Sequence, residues 1–155
     1  MASEIERKFL VPAVPGSLEL GNGSRLRQGY LAIDGPVEVR VRREGEAAIL
    51  TVKAGAGRTR TEVERDLSAA EADELWPATE GRRIEKVRHR VPLPTGEVLE
   101  LDVYEGTLAG LVIAEVEFAD GAAADGFVAP GWCHRELTGE PGWSNASLAV
   151  RGHPS

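Results

Sequence analysis

The sequence predicts an α+β, mainly β fold: eight short antiparallel strands, one helix inserted midway, and a short helix near the C-terminal end. Two observations point there. Most of the chain alternates apolar and polar residues at period two, in short runs broken by Gly, Pro and Asp. Between the fifth and sixth runs, SAAEADELWPAT (68–79) abandons that alternation for a helical pattern. Consecutive strands with one inserted helix suggest a meander or a barrel rather than alternating βαβ units.

The eight runs are 4–11, 25–33, 37–44, 48–54, 59–67, 84–92, 98–104 and 111–118. In the inserted segment Ser68 stands at the N-cap and Glu71 three positions later, which makes a capping box, and Pro77 limits the far end. From Asp120 onward the chain mixes Gly, Ala and Pro with Trp132 and Trp143. It then offers SNASLAV, where Ser144 or Asn145 suits the cap of a closing helix. No linker, repeat or low-complexity tract interrupts it, so residues 1–155 read as one domain. Neither Gly-rich phosphate motif of Rossmann or P-loop folds is present.

Lys and Arg total 18 against 25 Asp and Glu, a net −7, which disfavours nucleic acid or an anionic membrane as a diffuse electrostatic partner. An anionic ligand therefore needs locally concentrated cations. Cys133 stands alone, which excludes an internal disulfide and argues against structural zinc. The N-terminus MASEIERK carries no apolar leader, and no run of 18 uncharged apolar residues occurs. The expectation is a cytoplasmic protein without a membrane span.

Because successive strand side chains face opposite ways, each run divides into two faces, and the charges sort onto one of them. Glu4, Glu6 and Lys8 share a face; so do Glu38, Arg40 and Arg42; so do Lys86, Arg88 and Arg90. Lys53 opposes Val52 and Ala54, while Glu100 and Asp102 oppose Leu99, Leu101 and Val103. Alternation alone fits a sandwich with solvated outer faces equally well. The chemical sorting says more. Acidic pairs two residues apart occur as Glu4/Glu6, Glu62/Glu64 and Glu115/Glu117, and such carboxylates repel unless a cation lies between them. Basic pairs occur as Arg40/Arg42 and Lys86/Arg88, which suit a polyanion. If the strands close with these faces inward, the lumen suits metal plus phosphate.

These residues resemble the CYTH family, also called triphosphate tunnel metalloenzymes, whose members include inorganic triphosphatases, thiamine triphosphatases and class IV adenylate cyclases. The resemblance spans nearly the whole chain. It runs through ExExK as Glu4, Glu6 and Lys8, RQGYL with Tyr30, RVR as Arg40 and Arg42, and TVK with Lys53. It continues through TEVER with Glu62 and Glu64, KVR with Lys86 and Arg88, LDVYEG with Asp102, EVE as Glu115 and Glu117, and ELTGEPGWSNASLA. What it implies is an eight-stranded antiparallel tunnel in which Lys8, Arg40, Arg42, Lys53, Lys86 and Arg88 contact a triphosphate. Glu4, Glu6, Glu62, Asp102, Glu115 and Glu117 would coordinate Mg²⁺ or Mn²⁺, directly or through water, with Arg90 and Glu64 as lesser members.

Tyr30 and Lys86 form a candidate proton-transfer pair, since a Tyr beside an ammonium has a lowered pKa, although a structural Tyr is the alternative. Trp143 stands where many relatives have Tyr, and no lysine follows in the last helix, so Arg151 is a candidate substitute. His89, His134 and His153 are not expected at the site, and Trp76 reads as packing. The expected activity is metal-dependent hydrolysis of a triphosphate. Inorganic triphosphate is favoured because aromatics, at 5%, are scarce for a base pocket. Cyclisation of ATP, thiamine triphosphate hydrolysis and a non-catalytic polyphosphate-binding module stay open, as does a homodimer.

Overall fold

A computed structural model describes residues 2–55 and 59–154, with the side chains of residues 2–4 and of Thr59 outside the description. Eight antiparallel strands close into a barrel: β1 (Ala2–Leu10), β2 (Ser24–Asp34), β3 (Val37–Glu44), β4 (Ala47–Ala54), β5 (Thr59–Leu67), β6 (Arg83–Pro92), β7 (Val98–Tyr104) and β8 (Val112–Phe118). Around the barrel the order is β1-β5-β4-β3-β2-β6-β7-β8, and β8 returns to β1 with Leu10 opposite Ile113 and Glu6 opposite Glu117. Closure leaves no open edge. Expected and observed bounds coincide for β3, β5 and β7 and differ by one or two residues elsewhere.

The charged faces turn inward, so the apolar faces point out and need cover of their own. Helix α1 (Ala69–Leu75), continued by a 3-10 turn at Trp76–Thr79, lies over Val41 and Ala48. Its start is the expected capping box, with Ser68 Oγ accepting from Glu71 N at 3.1 Å and Ser68 N donating to Glu71 Oε1 at 2.8 Å. Trp76 does pack, against the guanidinium groups of Arg27, Arg43 and Arg83. The 3-10 turn presses so close to β2 that a Cβ at Gly29 would meet Thr79 Oγ1 at 2.5 Å. A second outer core joins Phe9, Leu99, Leu101, Ala114 and Val116 to Phe127 and Cys133. It lies beneath α2 (Gly121–Gly126), a helix absent from the sequence reading because GAAADG offers little but Gly and Ala; Asp120 caps it through Ala123 N at 2.7 Å.

The third core lies inside the barrel. Leu10, Tyr30, Ile84, Tyr104 and Ile113 share a face with the charges but stand at one end of the strands, where α3 (Asn145–Arg151) plugs the lumen with Ala146 and Leu148. Ser144, rather than Asn145, caps α3, its Oγ accepting from Ser147 N at 3.1 Å. A bulge between Tyr30 and Ala32 then switches the faces of β2, because Tyr30 pairs with inward Arg40 whereas Ala32 pairs with outward Val39. Among the described residues no helix is long and apolar enough to cross a membrane.

Leu148 is the buried centre of the plug, so Leu148→Ala should lower stability by about 2–5 kcal/mol. Val128→Ala, at a side chain 87% exposed, should change it by less than about 0.5 kcal/mol. Urea unfolding of the two variants checks the contrast.

Candidate active site in the barrel lumen

Registered partners across the sheet share a face, and this gathers side chains from all eight strands around a lumen of about 130 Å³. Lys8, Arg40, Arg42, Lys53, Arg60, Arg88 and Arg90 supply seven cations to its wall. Glu6, Glu38, Glu62, Glu64, Glu100, Glu115 and Glu117 supply seven carboxylates, and Gln28, Tyr30 and Asn145 are the neutral members. Among the described residues the two signs balance although the chain carries −7, which helps so many charges to lie in one enclosed space.

The pairing is specific. Arg60 meets Glu38 at 2.9 Å, Lys8 meets Glu115 at 3.6 Å and Lys53 meets Glu62 at 3.9 Å. Lys8 Nζ also donates to the Trp143 carbonyl at 3.3 Å, tying β1 to the C-terminal segment. At the open mouth Arg90 bridges Glu44 at 3.7 Å and Glu100 at 3.8 Å. Burial alone would raise the Glu115 carboxyl, but Lys8, then Lys86 and Arg88, outweigh it and hold the group far below the usual carboxylate range. Arg42 is also pushed down, by burial and by its neighbours Arg40 and Arg88, which in its case disfavours the charged form.

Among the described residues, five buried polar atoms on the inward strand faces form no hydrogen bond: Arg40 Nε, Arg60 Nε, Gln28 Nε2, and the hydroxyls of Tyr30 and Thr51. Tyr30 pairs with Arg40 and Arg40 with Thr51, so three of the five form one cross-strand row. Buried donors are nearly always bonded, and Tyr30 and Arg40, which line the lumen, suit a ligand rich in acceptor oxygens. Carboxylates, meanwhile, are set directly opposite one another as Glu6/Glu117 and Glu100/Glu115. Like charges in that position repel, and hard oxygen donors suit a divalent cation. Among the described residues no three carboxylate, histidine or cysteine side chains already converge as a complete metal site.

Lys86 and Asp102 stand apart from this wall, both fully buried. Asp102 Oδ2 accepts from Lys86 Nζ at 2.7 Å and from Arg88 Nη2 at 2.9 Å, while Oδ1 accepts from Arg88 Nε at 2.8 Å. Burial would raise the Asp102 carboxyl, yet the two cations outweigh it and keep the group ionised. Burial pushes Lys86 down to about 8 against the pull of Asp102, so it is still an ammonium at neutral pH. The ring beside it is Tyr104, 5.5 Å away.

This geometry has counterparts. An inorganic triphosphatase of Nitrosomonas europaea is 42% identical over 149 residues, covering 96% of this chain and 97% of its own. An inorganic triphosphatase of Acetivibrio thermocellus is 38% identical over 150 residues, covering 96% and 94%. This chain belongs to the CYTH family. A crystal structure of an inorganic triphosphatase, 41% identical, superposes with a TM-score of 0.71 over 97% of this chain and 96% of that one. No protein-family model matches the chain.

Of the positions suggested by the CYTH resemblance, Lys8, Arg40, Arg42, Lys53 and Arg88 face the lumen together with Glu6, Glu62, Glu115 and Glu117. The Glu4 side chain lies outside the described residues. Three expectations need correction. Lys86 and Asp102 lie behind the wall, bonded to each other, because their shared strand face runs into the plugged end. Tyr30 does not have a lowered pKa: burial pushes its phenol up to about 12, with Arg40 only partly opposing. Arg151 is exposed on an outer groove with Val150 and Arg82 rather than in the lumen.

Gln28, Thr51 and Arg60 have no role in the sequence-based expectation, while Glu38 and Glu100 figure there only as charged-face positions and Asn145 only as a cap candidate. Strand parity was available for Arg60, which shares a face with Glu62 and Glu64. Asn145 gave no such signal; its Oδ1 accepts from the Tyr104 hydroxyl at 2.5 Å.

The lowered Glu115 pKa sets a direction for acid stability. A carboxylate held below its unfolded value near 4.3 stabilises the fold above that pH, and the contribution is lost as pH falls. Without added metal, Glu115→Gln should therefore cost about 1–3 kcal/mol near pH 7. The variant and the wild type should converge below pH ~4, as read from urea midpoints across pH.

Proposed function

We propose that this CYTH chain, as one domain of 155 residues in the cytoplasm, hydrolyses inorganic triphosphate with Mg²⁺ or Mn²⁺ in the barrel lumen. The observation that carries the reading is the cross-strand pair Tyr30 and Arg40, whose buried hydroxyl and Nε form no hydrogen bond and which line a lumen shared with Lys8, Arg42, Lys53 and Arg88. Two relatives near 40% identity that bear the name inorganic triphosphatase support it. Among the described lining residues Tyr30 is the sole aromatic, which favours a substrate without a base over ATP cyclisation or thiamine triphosphate.

In this reading Lys8, Arg40, Arg42, Lys53 and Arg88 bind the phosphate oxygens and hold the chain extended, the guanidinium groups as two-pronged donors and the ammonium groups as point charges. Tyr30, kept protonated by burial, donates a hydrogen bond rather than accepting a proton. Glu6, Glu62, Glu115 and Glu117, joined by Glu4, would hold the divalent ion, which supplies charge neutralisation on the phosphate oxygens. A lumen carboxylate orients the water that attacks the terminal phosphorus and takes its proton as pyrophosphate leaves. Positioning and charge, rather than a covalent intermediate, provide the rate enhancement.

Purified protein given tripolyphosphate should release phosphate only with Mg²⁺ or Mn²⁺, stop on addition of EDTA, and form no cyclic AMP from ATP. Glu117→Ala should abolish that turnover while the variant still folds, as circular dichroism checks. Arg40→Ala should raise KM by about 10- to 100-fold, the loss of one or two charge-assisted bonds. Phosphate release that persists in EDTA would sink the proposal.

A further inference from the structure

We propose that Asp102 is a positioning residue that aims the Arg88 guanidinium at the triphosphate, and that it is not a ligand of the metal. The proposal rests on the reading of the lumen as a triphosphate site, and it changes which residues build that site.

The register gives Asp102 no carboxylate as a direct cross-strand partner, although Glu115 is near enough to act on it. Its partner on β6 is Arg88 and its partner on β8 is Ile113, so its own cross-strand row offers one cation and one apolar side chain. The opposed acidic pairs lie one inward position further along, at Glu100/Glu115, and beyond it at Glu6/Glu117. A divalent ion at Asp102 would have to enter a fully buried position and stand against two cations already bonded there. Both carboxylate oxygens are already used, by Arg88 Nε at 2.8 Å, Arg88 Nη2 at 2.9 Å and Lys86 Nζ at 2.7 Å.

The same bonds define what Asp102 does for Arg88. The paired contacts through Nε and Nη2 fix the plane of the guanidinium. Nη1 donates to Glu100 at 3.1 Å on the lumen side. Three of the five N–H donors are thereby engaged, and two remain for phosphate oxygens in a lumen that Arg88 lines. Lys86 locks the arrangement from behind: it reaches no lumen surface, but its ammonium holds Asp102 Oδ2 against the plug beside Tyr104. The trio carries one net positive charge, so the carboxylate lets two cations share a buried wall while one of them stays turned toward substrate.

The test is Asp102→Asn, with Mn²⁺ and tripolyphosphate affinities measured separately by calorimetry on the metal-free protein, and KM and kcat measured with metal. Mn²⁺ affinity should stay within about twofold of wild type, while tripolyphosphate affinity falls about 10-fold or more and KM rises. In an Arg88→Lys background the same substitution should add little to the loss of tripolyphosphate affinity, because its effect passes through Arg88. Should Asp102→Asn not fold, Lys86→Met/Asp102→Asn carries the same measurements with no unpaired ammonium left behind. A drop of about 10-fold or more in Mn²⁺ affinity with tripolyphosphate affinity kept would overturn the proposal and make Asp102 a metal ligand. A lower melting temperature with both affinities unchanged would overturn it too, leaving a structural role only. A wild type that binds no tripolyphosphate would instead overturn the triphosphate reading, and this proposal with it.

Discussion

The molecule is organised around charges that face inward. A closed barrel whose described inner wall carries seven cations and seven carboxylates is stable only if nearly every charge meets its opposite. The pairs Arg60–Glu38, Lys8–Glu115 and Arg88–Asp102 are therefore conditions of the fold as much as features of the site. The same compensation keeps the lumen responsive. Carboxylates such as Glu115 stay ionised because cations lie beside them, while Arg40 and Tyr30 keep donors unspent in one row.

Turning the polar faces inward moves the hydrophobic work outward. Each outer apolar face needs its own cover, and α1 and the segment around α2 supply it. The exception is the plug, where Tyr30, Ile84, Tyr104 and Ile113 carry the inward face into an apolar end sealed by α3. One strand face thus changes from charged to apolar along its length. That gradient creates a sealed end, and it is why Lys86 and Arg88, two residues apart on the same face, have such different surroundings.

Strand number, the inserted helix and the sorting of charges were legible because period-two alternation is strong in runs such as VEVRVR and EKVRHR. Parity assigns a face, however, and not a depth. It placed Lys86 and Asp102 with the lumen residues, whereas their height along the barrel puts them against the plug. Asn145 was hidden for a different reason: nothing in SNASLAV distinguishes a capping residue from one in the first turn of α3 whose amide is held by Tyr104. Glu38 and Glu100 were visible as charged positions, but which carboxylates serve as counter-ions depends on cross-strand registers that alternation does not encode.

Glu6 and Glu117 lie opposite one another although 111 residues separate them, and they meet only when the last strand returns to the first. The pairing is long-range, and such pairings form late, after loop-closure entropy has been overcome. The opposed carboxylates and the seam of the barrel come into being in one event. Whatever cation they bind would act as a clasp on that seam, favouring the closed barrel over any form in which β8 has parted from β1.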